Sequence, residues 1–441
     1  MYGLPVAYGA TRYVSPSGTN DAANGYNTLA GAATNILDVL VPLAHNDTVL
    51  VDDGTYVLTS QIAISRTNVM FKSINGRDKV IVNGNYPNTT NRCFSLVGNG
   101  CVLDGFTIFN GYANTNTYGI YAGGGGVIVN PSRMEPHNAV IKNCAIVSNY
   151  AENGNNYGGS GGGVWALYIR PLSNHAVISN CVISFNMGLT NNLLAGSESH
   201  GGGVAGYVEM YDCRITDNTV THKGAGVFGG GVFVNCDISR NKGLVVSSTQ
   251  VGGGGAYLLN NAFFTNCLVA NNSAKFCGGL DFRFGDANQT GGVISACTVV
   301  SNYGSLATFG GGIWIRGSYP KPIDICNSIV FSNKAGAVAD DISYAATSGA
   351  DTLRYSCVST TNGVNYPVAA NCITNPPVFV DSAGGNYRLT RESPCVNAGI
   401  NENWMVSAMD LDGRQRIDYF GKCVDMGCYE FKPLGTMIGI R

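Results

Sequence analysis

The feature that most constrains this chain is a repeat of about thirty residues. Asn recurs at Asn110, Asn149, Asn186, Asn218, Asn241, Asn272, Asn302, Asn333 and Asn362, at spacings of 39, 37, 32, 23, 31, 30, 31 and 29. Five residues before most of them stands a cysteine: Cys144, Cys181, Cys213, Cys236, Cys267, Cys297 or Cys357. Gly105 and Ser328 take that position in two repeats. A turn Asn can bond its own backbone and the Asn above it, so one Asn per coil predicts an amide ladder. One cysteine per coil at one register predicts a buried column of small apolar thiols. Parallel Cβ directions along such a column disfavour disulfides between neighbours.

Glycine runs mark a second register: Gly123 to Gly126, Gly161 to Gly163, Gly201 to Gly203, Gly229 to Gly231, Gly252 to Gly255, Gly278 to Gly279 and Gly310 to Gly312. A short β segment follows each run. Its first and third residues, such as Val127 and Val129 or Ile313 and Ile315, are never polar. They therefore face a core, and the second and fourth residues point away from it. The second position reads Ile128, Trp165, Ala205, Phe233, Tyr257, Asp281 and Trp314. The fourth reads Asn130, Leu167, Tyr207, Asn235, Leu259, Arg283 and Arg316.

These patterns predict an all-β chain, a right-handed parallel β-helix of about ten coils. Gly runs and β-branched alternation exclude a helical solenoid. A stack of coils also accommodates 441 residues without one oversized core, because each repeat packs only on its neighbours. Residues 1–75 are read as an N-terminal cap and first strands, 76–365 as the coils, and 366–441 as a C-terminal cap segment. One helix, over Ala32 to Leu40, is expected to cover the open end. Cys372, Cys395, Cys423 and Cys428 lie off the column, with their pairing open. The charged fraction is 12% and the net charge −2, so no basic surplus exists to neutralise phosphates, and nucleic acid is not an expected partner. No apolar run has the length of a membrane span. No zinc motif or phosphate-binding loop is present, and no cofactor or metal is expected. Asp410 and Asp412 with Gly413 resemble the start of a calcium loop, but the later ligands are missing.

The recurring Asn-Cys-x-Ile-x-x-Asn followed by Gly-Gly-Gly-Val resembles the repeat of bacterial secreted and surface β-helix proteins, the pectate-lyase-like superfamily. Chlamydial polymorphic outer-membrane proteins carry a related pattern. Tyr13 to Gly18 and Asp47 to Val51 resemble the opening of such proteins. Asn375 to Phe431 resembles the segment that precedes a surface anchor in them. The resemblance implies export, to the medium or the cell surface, with the leader absent from this sequence. The scaffold it implies serves polysaccharide lyases, glycoside hydrolases, epimerases, tailspikes and adhesins.

Trp165, Tyr207, Phe233, Tyr257 and Trp314 are read as a substrate-binding stripe. Coils stack at about 4.8 Å, so seven rungs span roughly 29 Å. Flat rings suit the apolar faces of a sugar chain; rings stacked rung on rung also serve simply as packing. Asp281, Arg283 and Arg316 are the sharpest charged cluster and the candidate catalytic group. Two arginines can grip a uronate or sulfate bidentately; the plainer alternative is an ion pair across rungs. His200, His222, Lys223 and Glu209 are weaker candidates near the glycine corners. Arg133, Glu135 and His137 are placed in a solvated loop. Asp340 and Asp341 are read as turn residues. The function expected is a carbohydrate-active protein, foremost a polysaccharide lyase on an acidic glycan. The alternatives are a non-catalytic adhesin or glycan-binding scaffold, and a glycoside hydrolase. The oligomeric state is left open.

Overall fold

The computed structural model describes residues 9–118, 122–131, 137–153, 160–167, 176–190, 199–244, 252–307, 309–345, 348, 350–363, 369–417 and 423–431. Each coil runs from a glycine corner through sheet one and sheet two, past the cysteine into sheet three, and past the asparagine into sheet four. One coil shows the order: Ile313–Gly317, Ile323–Cys326, Ile329–Phe331 and Lys334–Ala335. Among the described residues sheet three stacks eleven parallel strands, from Gly54–Val57 to Cys357–Val358. Strands Val204–Tyr211, Val227–Val234 and Ala256–Thr265 run unbroken through sheets one and two. The first strands of sheet two, Thr11–Val14, Thr48–Val51 and Met70–Ser73, lie within the N-terminal seventy-five residues.

Branched residues recur at one register and fill the interior. On sheet three the inward column is Ile108, Ile146, Ile183, Ile215, Ile238, Val269, Val299 and Val330, all fully buried. Each such side chain contributes about 1.5–3 kcal/mol of burial. The central coils each turn twice through left-handed residues, one before the cysteine (Asn180, Asp212, Asn235, Asn266) and one before the asparagine (Phe185, Asp217, Arg240, Asn271). Asn and Asp tolerate that conformation best, which accounts for their prevalence at the first turn.

The asparagine ladder comprises Asn149, Asn186, Asn218, Asn241, Asn272, Asn302 and Asn333. Each Oδ1 from Asn186 onward accepts the backbone N–H and the Nδ2 of the rung before it, at 2.9–3.0 Å. Asn218 and Asn241 are therefore neighbours despite their short spacing. Two members of the expected column fall outside it. Gly111, not Asn110, begins the ladder, its N–H donating to Asn149 Oδ1 at 2.8 Å. At the other end Asp341 Oδ1 accepts from Asn333, while Asn362 pairs with Ser343 on sheet one.

The cysteine column shows the same one-residue slip at its ends. Phe106 and Ser356 occupy the positions expected for Gly105 and Cys357. The thiols are also more than fillers. Cys236 and Cys267 donate N–H groups to Cys267 Sγ and Cys297 Sγ at 3.5 and 3.4 Å. Cys297 N–H donates to Ser328 Oγ at 3.1 Å, and Ser328 N–H to Ser356 Oγ at 3.1 Å. Serine replaces cysteine there because either side chain relays a backbone bond between coils. None of the described cysteines is in a disulfide.

The expected N-terminal helix is absent. Asn35 Oδ1 accepts the N–H of Leu37, and Ala33 bridges to Val14, so both compete with helical bonding. Only the 3₁₀ turn Asp38–Leu40 forms. Ile36 and Val39 are nevertheless buried, so the segment still covers the end of the stack. The C-terminal segment lies along the last coils. Its Arg416 is fully buried, donating to Asn266 Oδ1 at 2.6 Å and to the carbonyls of Asp425 and Gly427.

Candidate functional site

The outward row of sheet one is Ile128, Trp165, Ala205, Phe228, Tyr257, Asp281 and Trp314. Phe233 does not belong to it. The run Gly229 to Gly231 lies inside a strand, and the true corner of that coil is Gly224 to Gly226. Counting from the wrong run inverts the register. Phe233 therefore faces the core and stacks on Phe264 at 4.6 Å. Phe228, half-buried, is the stripe residue that the glycine run concealed.

The row is also less open than an exposed stripe. Tyr257 is 1% exposed, Asp281 0% and Trp314 6%, whereas Trp165 and Phe228 are half-buried. Side chains from the glycine corners lean over it. His200 stacks on Phe228 with centroids 4.0 Å apart, and Phe228 stacks on Tyr257 at 5.7 Å. Lys223 Nζ sits 5.7 Å from the Tyr257 ring, and Phe276 and Phe309 pack on Trp314. Ser160, His200, Lys223 and Gly252 occupy successive rungs of that corner row. Gly252 is the rung without a side chain. A Cβ there would lie 2.6 Å from Asp281 Oδ2, so glycine makes the room the carboxylate occupies.

Asp281, Arg283, Arg316, Tyr257 and Trp314 form one cluster. Arg316 grips Asp281 bidentately, Nε to Oδ1 and Nη2 to Oδ2, both at 2.8 Å. Its guanidinium lies 3.9 Å from the Trp314 ring centre. Arg283 Nη1 donates to the Tyr257 hydroxyl at 2.9 Å, and Arg316 Nη2 does so at 3.4 Å. Among the described residues no carboxylate pairs with Arg283, which is half-buried. Burial pushes the Asp281 carboxyl up, opposed by Arg316, Arg283 and Lys223. Burial and then Asp281 push the Tyr257 phenol up, so it stays protonated at neutral pH. The cluster thus holds one neutralised pair and one cation with no counter-charge.

The remaining candidates stand apart. Trp165 is three rungs from Tyr257, about 14 Å along the stack. Tyr207 keeps the outward register opposite Gly230 but is only 8% exposed. Glu209 accepts from the Tyr211 hydroxyl at 3.0 Å. His222 is buried beside Ser199 and Thr221. His137 is buried rather than solvated, with Nε2 3.2 Å from the Val97 carbonyl. Arg133 and Glu135 lie outside the described residues. Asp341 is no plain turn residue, since it terminates the asparagine ladder. Asp410 binds backbone N–H groups of Asp412, Arg414 and Glu430, and Asp412 pairs with Arg388, so the protein itself occupies that loop. Among the described residues no group of three or more His, Cys, Asp or Glu side chains is arranged to hold a metal.

Fold and site define a solenoid with a charged, aromatic-walled face, and comparison with known structures places it more closely. Pectate lyase Pel9A matches over 97% of this chain and 98% of its own, with a TM-score of 0.58 and 15% identity. A rhamnogalacturonan lyase matches over 95% and 100%, at 0.48 and 12%. Pectin methylesterase PemA from Erwinia chrysanthemi matches over 77% and 93%, at 0.36 and 13%. Neither a protein-family model nor a curated relative matches the sequence. The likeness to Pel9A establishes the architecture alone: this chain has a right-handed parallel β-helix fold similar to that of Pel9A.

Proposed function

We propose that this protein is exported and acts on an acidic polysaccharide, with lyase action as the foremost chemistry. The observation that carries the reading is Arg283, a cation with no carboxylate partner among the described residues, bonded to the Tyr257 hydroxyl beside a neutralised Asp281–Arg316 pair. A substrate carboxylate can complete that charge balance without displacing Asp281. Neutralising a uronate carboxylate acidifies the adjacent C–H. A base then removes that proton, the electron pair forms a C=C bond as the glycosidic C–O bond breaks, the departing sugar oxygen takes a proton from water, and an unsaturated sugar remains. Tyr257 is a poor base, because burial keeps its proton in place. That observation also supports a second reading, a non-cleaving scaffold that grips acidic glycan through Arg283.

A panel of acidic polysaccharides tests both. Unsaturated-product absorbance is expected with at least one member, and Arg283→Ala should weaken binding about tenfold or more. Added salt should weaken wild-type binding in the same direction. Binding without absorbance on every member selects the scaffold. Acidic-glycan binding that is unchanged in Arg283→Ala removes this face from both readings.

A further inference from the structure

Sheet two carries a second cleft that the reading above leaves unused. Where the C-terminal segment crosses that sheet, a cleft of about 340 Å³ is lined by Thr265, Val293, Ser295, Asp324, Glu402 and Trp404. Its floor includes Val293 and Asp324, neighbours in the outward row contributed by successive coils. The floor is therefore apolar at one end and charged at the other. Trp404 forms the wall. It sits on the 3₁₀ turn Asn403–Val406, whose Met405 is fully buried with Ala296 and Val424. The anchor holds the indole in place, yet the residue is 36% exposed. Its N–H donates to Glu402 Oε2 at 2.9 Å, which fixes the ring and leaves its face open.

The charged end is built around Arg354. Its Nη2 lies 3.2 Å from both Asp324 Oδ2 and Glu402 Oε1. Ser295 Oγ lies 3.4 Å from Glu402 Oε2. Two carboxylates against one guanidinium leave a net charge of −1.

We infer that this cleft binds a neutral sugar unit. An ordered, half-open indole takes the C–H face of a pyranose. Carboxylates and hydroxyls at the other end accept and donate to its hydroxyl groups. The net negative charge disfavours a uronate or a sulfate, in contrast to the arginine cluster on sheet one. Both carboxylates are engaged by the one guanidinium of Arg354, which orients them to accept sugar hydroxyls. Its volume falls at the small end of ligand sites, which span about 300–1,000 Å³. The site lies on a different sheet from the acidic-glycan face and does not depend on that reading.

The test titrates the full chain with neutral gluco-, galacto-, manno- and xylo-oligosaccharides, by calorimetry and tryptophan fluorescence, at low and high salt. At least one is expected to bind with little salt dependence. Trp404→Ala should weaken that binding about tenfold. Asp324→Asn, a change on the sheet that leaves the buried Met405 anchor untouched, should weaken it about threefold even where Trp404→Ala loosens the segment. Binding of none of the four overturns the inference, and so does neutral-sugar binding unchanged in both variants. Because the probes carry no charge, this result is read separately from the acidic-glycan test.

Discussion

Two aspartate–arginine pairs in this molecule have nearly the same geometry and different surroundings. Arg316 grips Asp281 and Arg240 grips Asp217, each bidentately and each across adjacent coils, at 2.8–2.9 Å. The first pair is covered, with side-chain exposures of 15% and 0%. The second stands on the outer surface of the turn after sheet three, at 50% and 24%. Coulomb attraction inside the covered pair is offset by the cost of removing two charges from water, so its net worth is small while it is whole. Breaking it leaves a charge stranded under aromatic rings. Breaking the exposed pair leaves a charge in water. The solenoid thus repeats a contact and changes its meaning by covering one face.

The largest effect is expected at the covered pair. Asp281→Ala should cost about 3–5 kcal/mol of stability, read from denaturant unfolding, because Arg316 then lies buried without its counter-charge. A cost as small as that of the exposed pair would show that Arg316 reaches water easily, and would break the comparison. Next comes the ladder. Asn272→Ala removes bonds to the rungs on both sides and should cost about 1–3 kcal/mol, since buried backbone groups lose their partners.

A third prediction concerns pH. Glu430 is pushed up to about 8 from 4.5, chiefly by burial. Arg416 stands 3.0 Å away, but the contact is not aligned as a hydrogen bond and compensates only in part. A raised folded pKa means the native state holds the proton longer than the unfolded chain. Stability from this group is therefore present below about pH 4.5 and lost as pH rises to about 8. Melting temperature across that window should fall less steeply in Glu430→Gln than in the wild type. An identical slope in the two proteins would assign the window to other groups. The smallest effect is the exposed pair: Asp217→Ala should cost less than about 1 kcal/mol, and high salt should erase the difference.

Legibility followed the same division between repeated and singular features. Asparagines 149 to 333 and cysteines 144 to 297 were readable because a coil repeats the same turn chemistry. The slips at Asn110, Asn362 and Cys357 occur at the ends, where neighbouring coils no longer hold the count. Phe233 was misplaced because a glycine inside a strand and a glycine at a corner look alike in sequence. A count from the branched residues of sheet three, rather than from the nearest glycines, would have found Phe228.

The sequence by itself determined the solenoid, its inward columns and the shared face of Asp281, Arg283 and Arg316, because strand alternation and coil period are local properties of the chain. Only the tertiary structure decided that Asp281 is buried, that Arg316 rather than Arg283 neutralises it, and that Trp404 walls a cleft on sheet two. Those outcomes depend on which residues from distant coils and from the C-terminal segment come to lie over a face. Arg316 is thirty-five residues beyond Asp281, and Trp404 is eighty beyond Asp324. Burial and pairing at such separations are set by stacking in space, and no local pattern carries them.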